Sequence, residues 1–176
     1  MSGACGIRFR EAQSQAAIRP TRHLRIQHAR QRAHDLAKRL LGSWRMTSWI
    51  CEIIATGERF DAQGADPRGY VTYTPDGRVM VLVLNAERPM PASLLPTPEE
   101  KIVLYDTMFA YSGTYEVAPE HVVHHIDMSW NKVWEGTQQV RYLQLADDKL
   151  VYTSAPAKSP LDGRDCIHLV KFEKAV

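Results

Sequence analysis

Two polar residues lie on apolar strand faces, and they are the first candidates for chemistry. His124 alternates with Val122, Ile126 and Met128, so in an extended strand these four side chains share one face. A histidine in an apolar cavity can act as a proton shuttle, because its surroundings shift its pKa. Three roles stay open for His124: a core histidine that hydrogen-bonds a neighbouring tyrosine or threonine, a ligand contact, or a catalytic group that moves a proton.

Arg141 is the second candidate, because it shares a strand face with Leu143 and Leu145. If that face points inward, the guanidinium needs a carboxylate partner or an anionic ligand, since an unpaired buried charge is costly. One outcome is a salt bridge to Glu116 or Asp127. The other is that Arg141 binds a carboxylate or enolate oxygen of a ligand.

Aromatic side chains could form the walls of a cavity around these two residues. Most of them, including Tyr111 and Trp130, are expected to pack in the core or across strand pairs. Trp134 lies in a loop between Asn131 and Gly136, so we expect it at the cavity rim. The ligand contacts that we predict are Tyr73, Tyr105, Tyr115, His124, Trp134 and Arg141.

The histidines also raise the question of a metal site. On a strand, His121, His125 and Asp127 share the face opposite His124, which gives three candidate ligands. That face is expected to point outward, and ligands about 7 Å apart along one strand make a poor tetrahedron. We therefore predict no metal. The sequence contains no nucleophile-elbow motif, zinc-protease motif or glycine-rich phosphate loop, so we predict no cofactor either, and His124 and Arg141 remain the best catalytic candidates.

Cysteine usage indicates a reducing compartment. Cys5, Cys51 and Cys166 are odd in number and form no CxxC pair, a pattern that argues against a disulfide framework or a zinc site. Cys51 and Cys166 are expected to behave as small buried hydrophobic residues. No apolar run approaches the roughly 20 residues that cross a bilayer, so we predict a cytoplasmic protein without a membrane partner.

Charge is divided unevenly along the chain. The 176 residues carry a net charge of +2, but residues 1–40 hold nine of the 22 Lys and Arg residues and only two acidic ones. The rest of the chain is therefore net acidic, which argues against a nucleic-acid partner. We predict an extension over residues 1–35, disordered or helical, whose role stays open between a disordered or mis-started leader, a targeting segment and a binding arm. One domain then covers residues 36–176.

Two helices are predicted. Helical periodicity runs from residue 21 to 40 and ends at Gly42, and the last turns, 35–41, are expected to plug the closed end of the domain. The second helix starts at residues 97–100, where a threonine cap, a proline and two acids follow one another. We expect it to run to about Phe109 and to lie across one opening as a lid. Its buried residues are expected to be Val103, Leu104, Tyr105 and Met108.

Short alternating segments make up the rest of the chain. The first strand opens at residues 41–49, with Trp44 and Met46 on one face and Trp49 expected on the other. The closing strand covers residues 166–172 and alternates in the same way. One face of this strand carries Cys166, His168, Val170 and Phe172.

The strand order predicts a barrel. Residues 74–77, with the sequence Thr-Pro-Asp-Gly, form a tight hairpin turn. The strand at 78–84 is apolar on both faces, so a helix or a partner subunit should cover the face that the barrel does not. With about eight strands and no strand–helix–strand alternation, we predict a mainly β protein. Its architecture is an antiparallel up-and-down β-barrel with one inserted lid helix and an N-terminal helix.

Seven short motifs follow one another along the chain, at residues 41–46, 67–69, 73–78, 111–117, 124–125, 134–137 and 139–142. Their order resembles the lipocalin-like domain family of small bacterial and fungal calycin-type barrels. The resemblance covers roughly residues 36–175 and implies a barrel with a central cavity and no settled biochemical role. Relatives occur beside secondary-metabolite genes, and some barrels of this shape act as cyclases or isomerases. Lipocalins also stack the first-strand tryptophan on an arginine near the C-terminus. Lys174 is the candidate here, which implies weaker stacking or another residue.

Three functions are therefore weighed. The first is the binding of a small hydrophobic or aromatic molecule, whose acidic or carbonyl oxygen is held by Arg141 and His124. The second is a cofactor-free cyclase or isomerase, in which His124 moves a proton and Arg141 stabilises an enolate. The third is a barrel filled by its own side chains that forms a homodimer through the strand at 79–84.

Overall fold

In the part of the chain that the structure describes, one α-helix precedes the strands and a second lies between two of them. The computed structural model describes residues 22–159 and 162–175. The elements are α1 (Arg22–Leu40), β1 (Gly42–Ile53), β2 (Arg59–Asp61), β3 (Arg68–Tyr73), β4 (Arg78–Leu84), α2 (Pro98–Asp106), β5 (Met108–Val117), β6 (His121–Ser129), a 3₁₀ turn (Lys132–Trp134), β7 (Gln138–Ala146), β8 (Lys149–Ser154), β9 (Ala157–Lys158) and β10 (Asp165–Lys174). The expected N-terminal and inserted helices are both present.

Eight of the strands close into an antiparallel barrel, which confirms the predicted architecture. The order around the barrel is β1-β3-β4-β5-β6-β7-β8-β10, and β10 pairs back onto β1 to complete the circle. The short strands β2 and β9 add to the edges of β1 and β10 beyond the closed part. The predicted hairpin at 74–77 joins β3 to β4, and Gly77 adopts a φ of 81°, which glycine tolerates without strain.

One end of the barrel is closed by a tryptophan and a lysine. The indole of Trp44 is buried and donates a hydrogen bond to the carbonyl of Leu40 at 2.8 Å, where α1 meets the core. Nζ of Lys174 lies 4.2 Å from the centroid of the Trp44 ring and also donates to the carbonyl of Leu41. Lys174 therefore takes the stacking position that lipocalins fill with arginine.

A bulge in β1 corrects the prediction for Trp49. The pairing of β1 with β10 shifts by one residue between Met46 and Ser48. The alternation of faces is therefore reset after the bulge, and Trp49 points inward on the same side as Met46. Its side chain is only 4% exposed, rather than lying on the outer face as expected.

A second bulge, in β6, corrects the prediction for Met128. Gly113 pairs with Ile126 and the preceding residue of β5 pairs with Met128, so Asp127 has no counterpart on the neighbouring strand. Met128 is turned outward and is 59% exposed, away from the inward face of His124. The strands approach closely here, because a Cβ on Gly113 would lie 1.9 Å from the carbonyl oxygen of His125.

The inserted helix begins as predicted but ends earlier and is less buried. Thr97 caps the N-terminus of α2, and its hydroxyl and the carboxylate of Glu100 satisfy each other's backbone amides in a capping box. The helix ends at Asp106 rather than near Phe109, and it has no buried residue. Ile102, Val103, Leu104 and Tyr105 are consecutive, so they point in all directions around the helix and form no apolar face.

The outward face of β4 carries apolar side chains that the barrel does not cover. Met80 and Leu82, on the outward face of β4, are 54% and 50% exposed in the single chain. The homodimer that would cover them stays a prediction.

Within the described residues, no helix is long and apolar enough to cross a membrane. Residues 1–21 of the extension predicted over residues 1–35, with Cys5 among them, lie outside the described residues.

Candidate functional site

Aromatic side chains fill most of the barrel interior. Phe109 is the centre of this packing, with ring centroids at 4.9 Å from Trp49, 4.6 Å from Trp130 and 5.2 Å from Trp134. A cavity of about 50 Å³ remains beside these rings. A water molecule needs at least about 10–15 Å³ of such space, whereas drug-sized ligands occupy pockets of about 300–1,000 Å³. The inner cavity alone therefore admits only a few atoms.

The barrel wall is open between β7 and β8, beside this cavity. β7 pairs with β6 from Gln138 onward, but its pairing with β8 begins only at Arg141, opposite Ser154. After Ser154 the chain leaves to form β9 against β10. A recess of about 360 Å³ occupies the gap that this leaves. It shares four wall residues with the inner cavity: Trp134, Arg141, Ser154 and His168.

Arg141 lies where the recess meets the cavity, and among the described residues no carboxylate forms an ion pair with it. The two acids expected to pair with it have other partners. Asp127 forms a salt bridge with Arg78, and Glu116 lies 3.6 Å from Nε2 of His125. The first outcome considered for Arg141, a salt bridge to one of these two acids, is therefore not formed, and the side chain of Arg141 lines the cavity wall.

The guanidinium of Arg141 keeps donors available for a ligand. Nη1 donates to Oε1 of Gln139 at 3.4 Å and to the carbonyl of Val140 at 3.2 Å, both of which are long hydrogen bonds. A guanidinium has five N–H donors, so most of them are not used by these two bonds. The positive charge of Arg141 also adds to the effect of burial in lowering the pKa of His168.

His168 forms the neutral part of the same wall. The indole of Trp49 donates to Nδ1 of His168 at 2.9 Å, so a neutral ring carries its proton on Nε2, which lies 3.3 Å from Sγ of Cys166. Burial lowers the pKa of His168 to about 4, which keeps the ring neutral at pH 7. The wall therefore combines one cation with a neutral imidazole.

One cluster in the described part of the chain has the atom types of a metal site. The ligand atoms of Cys51, Cys166 and His168 lie within 4.8 Å of one another. However, Nε2 of His168 carries the proton because Nδ1 accepts from Trp49, so that nitrogen offers no lone pair to a metal. Burial and the neighbouring Cys166 raise the pKa of Cys51 to about 12, which disfavours the thiolate that a metal requires. These hydrogen bonds fit two buried thiols better than a metal.

His124 is the centre of a chain of buried hydrogen bonds. Its Nδ1 lies 2.8 Å from the hydroxyl of Tyr111, and its Nε2 lies 2.7 Å from the hydroxyl of Tyr73. The hydroxyl of Tyr73 in turn contacts that of Tyr152. The two end residues, Tyr111 and Tyr152, line the inner cavity, whereas Tyr73 and His124 lie behind its wall.

Burial keeps this chain uncharged. It lowers the pKa of His124 well below the usual value, and the charges of Arg141 and His125 act in the same direction. It raises the pKa of Tyr111, against the effect of the nearby guanidinium. The pKa values of Tyr73 and Tyr152 are raised as well, again chiefly by burial. At neutral pH, the chain therefore consists of a neutral imidazole and neutral phenols.

The structure places four of the predicted ligand contacts in two groups. Trp134 and Arg141 line both the cavity and the recess. Tyr73 and His124 are fully buried and touch each other, but they do not form part of the lining. Their hydrogen bonds match the first of the three roles considered for His124, a core histidine bonded to tyrosine.

The other two predicted contacts lie away from the cavity. Tyr115 packs edge-on against Tyr73, with 4.9 Å between ring centroids, and its hydroxyl donates to the carbonyl of Thr74 at 3.1 Å. Tyr105 is 45% exposed on α2, which contributes no residue to the cavity or recess walls. The aromatic content of these segments did not indicate which rings would reach the cavity.

Four polar residues of the cavity wall were not among the predicted contacts. They are Tyr111, Tyr152, Ser154 and His168. Strand alternation carried a signal for three of them. Tyr152 and Ser154 share the inward face of β8 with Leu150, and His168 shares that of β10 with Cys166. Tyr111 was expected only to pack, and it both packs and lines the cavity.

Comparison with known proteins agrees with the barrel. The model of a family described as the lipocalin-like domain matches residues 41–174, which covers the strands from β1 to β10. A search of curated proteins found no match.

Proposed function

The chain belongs to the lipocalin-like domain family, and from this membership and the geometry of the site we propose that the barrel binds one small hydrophobic or aromatic molecule. The molecule carries an acidic or carbonyl oxygen that Arg141 holds. We expect such a ligand to be a secondary metabolite. Ligand binding in general is what a lipocalin-like barrel suggests, and the chemistry of the ligand is our proposal.

The observation that carries the proposal is the position of Arg141. Arg141 is a part-buried cation at the junction of a recess and an apolar cavity, and none of the described carboxylates neutralises its charge. An anionic oxygen of a ligand would supply the missing partner and can accept two parallel hydrogen bonds from a guanidinium. The aromatic rings beside it favour an apolar body on the same ligand.

The volumes indicate how such a ligand would lie. The inner cavity of about 50 Å³ takes only a small part of it, and the recess of about 360 Å³ takes the rest. The ligand would therefore enter through the gap between β7 and β8, with its oxygen at Arg141. The sequence predicted a ligand in the barrel cavity, and we place most of it in the recess, because the barrel's own rings occupy most of the interior.

A pair of matched probes tests the proposal. 2-Naphthoate has an aromatic body and a carboxylate, and naphthalene-2-carboxamide has the same body without the charge. We expect the wild-type protein to bind the carboxylate with quenching of tryptophan fluorescence, because Trp49 and Trp134 line the walls. Arg141→Gln should weaken binding by about 10- to 100-fold, since a hydrogen bond to a charged group contributes about 1.5–3 kcal/mol.

A matched variant separates the site from general charge effects. Arg68→Gln removes an exposed arginine of β3 that lines neither the cavity nor the recess, and it should leave the affinity for 2-naphthoate unchanged. Equal losses in the two variants, or equal affinity for carboxylate and amide in the wild type, would contradict a role for Arg141. Absence of binding by either probe would favour the filled barrel as a structural unit.

The alternative function is a cofactor-free cyclase or isomerase. The sequence suggested that His124 would exchange a proton directly with the substrate. Both of its ring nitrogens face tyrosine hydroxyls instead of the cavity, so proton transfer through His124 would have to pass through Tyr111 or Tyr152.

A further inference from the structure

Two hydroxyls on the cavity wall are joined behind it by other side chains. The path runs from Tyr152 through Tyr73 and His124 to Tyr111, and each step is within hydrogen-bond distance. Tyr73 is 1% exposed and His124 is fully buried, so water does not enter the middle of the path. The two end residues, Tyr152 and Tyr111, line the same cavity, and the connection between them is sealed from solvent.

Counting protons shows what this path presents to a ligand. Three neutral phenols and one neutral imidazole carry four exchangeable protons, and the path has three links. Each link holds one proton, so one proton is left to point into the cavity. If His124 is protonated on Nδ1, Tyr111 holds that outward proton, and if on Nε2, Tyr152 holds it.

We propose that Tyr152, Tyr73, His124 and Tyr111 form a proton relay that moves a proton between two atoms of one bound ligand. The proposal rests on the proposed function, because it needs a ligand anchored at Arg141. The substrate class that fits is an enolisable aromatic acid. Its carboxylate binds Arg141, and its enol system faces the two cavity tyrosines.

The transfer balances without any other reactant. The enol hydroxyl gives its proton to the oxygen of Tyr152, whose own proton passes to Tyr73. The proton of Tyr73 passes to Nε2 of His124, and the proton on Nδ1 passes to Tyr111. Tyr111 gives its proton to the ligand carbon while the enol C=C becomes a C–C bond and the C–O bond becomes C=O. The ligand changes from enol to ketone, and the protein ends uncharged with its relay reversed.

Phenylpyruvate provides a test, because it is an aromatic acid with enol and keto forms. We expect the wild-type protein to accelerate ketonisation of the enol, followed by its ultraviolet absorbance. Tyr73→Phe cuts the relay behind the wall and keeps both cavity tyrosines. It should reduce the acceleration by about 100-fold, the range that positioned acid–base groups supply, while binding of the keto form changes less than about twofold.

Two controls separate the relay from structure. Tyr142→Phe makes the same change on the exposed face of β7 and should leave ketonisation unchanged. Nitrogen-15 NMR of His124 reports its tautomer directly. Tyr73→Phe should shift the ring toward protonation on Nδ1 and Tyr111→Phe toward Nε2, because a buried N–H keeps the partner that remains.

The possible results distinguish a failure of the proton relay from a failure of the binding function. Binding that depends on Arg141 without acceleration, or acceleration that Tyr73→Phe leaves intact, overturns the relay and leaves the binding function standing. Absence of phenylpyruvate binding overturns both for this ligand class. If Tyr73→Phe does not fold, rates of the wild type in mixtures of H₂O and D₂O decide. A curved dependence on deuterium fraction supports several protons in flight, and a linear one overturns the relay.

Discussion

His168 shows how a hydrogen bond fixes the chemical form of a side chain on the cavity wall. The donor on Trp49 reserves Nδ1 as an acceptor, and burial keeps the ring neutral. Arg141 beside it stays charged, so the wall offers a cation next to a neutral ring. Such a wall suits a single negative charge on a ligand, because Arg141 is the only cation among the described residues that line the inner cavity.

Because the buried imidazole of His168 stays neutral, the stability of the fold is expected to depend on pH. The pKa of His168 is about 4 in the folded chain, against 6.5 for an ordinary histidine, and burial lowers the pKa of His124 in the same direction. The unfolded chain therefore binds more protons between pH 6.5 and 4. The free energy of unfolding is highest above this window and falls as the pH drops through it, by on the order of 3 kcal/mol for His168.

Urea unfolding of two variants measures that contribution. Gln at position 168 can accept from Trp49 but does not titrate, so His168→Gln should flatten the decline in stability between pH 6.5 and 4. His34→Gln, on the exposed part of α1, controls for the loss of an imidazole. Identical pH slopes in the wild type and His168→Gln would show that the ring is already protonated or is solvated in the folded chain.

At the scale of elements, the two bulges decide which side chains reach the interior. The bulge in β6 brings the backbone of β5 and β6 together at Gly113, where a Cβ would collide with the carbonyl of His125. Gly113→Ala should therefore reduce the free energy of unfolding by about 2–4 kcal/mol, as backbone clashes at such positions do. Thr114→Ala, at the next and exposed position, should change it by less than about 0.5 kcal/mol. Urea unfolding measures both, and equal effects would exclude the close approach at Gly113.

Strand alternation predicted most of the elements but not these irregularities. The hairpin at 74–77 and the sets of residues that share one face of β7 and of β10 follow from local residue order, and the structure confirms them. Trp49 and Met128 were assigned to the wrong faces, because a bulge depends on the neighbouring strand rather than on its own residues. For α2, the cap was local and predictable, whereas its burial depended on packing that the sequence does not encode at short range.

At the scale of the whole molecule, the site is created by where strands stop pairing. β8 ends at Ser154, which pairs with Arg141, whereas β7 begins at Gln138. The first residues of β7, from Gln138 to Val140, therefore have no partner on β8, and this leaves the gap between the two strands. This is a relation between distant segments, so the sequence could indicate Arg141 as a candidate but not the recess beside it. The relay through His124 likewise joins four strands, β3, β5, β6 and β8, that no local pattern connects.

The most direct measurement is native mass spectrometry of the protein purified from its own host, followed by denaturing extraction of whatever is bound. A barrel that binds a ligand at Arg141 should carry one small molecule with an aromatic or aliphatic body and an acidic or carbonyl oxygen, and Arg141→Gln should lose it. A mass of the bare chain for the wild type, together with no binding of 2-naphthoate, would contradict the binding function. An adduct that Arg141→Gln retains would contradict the role of Arg141 in holding it.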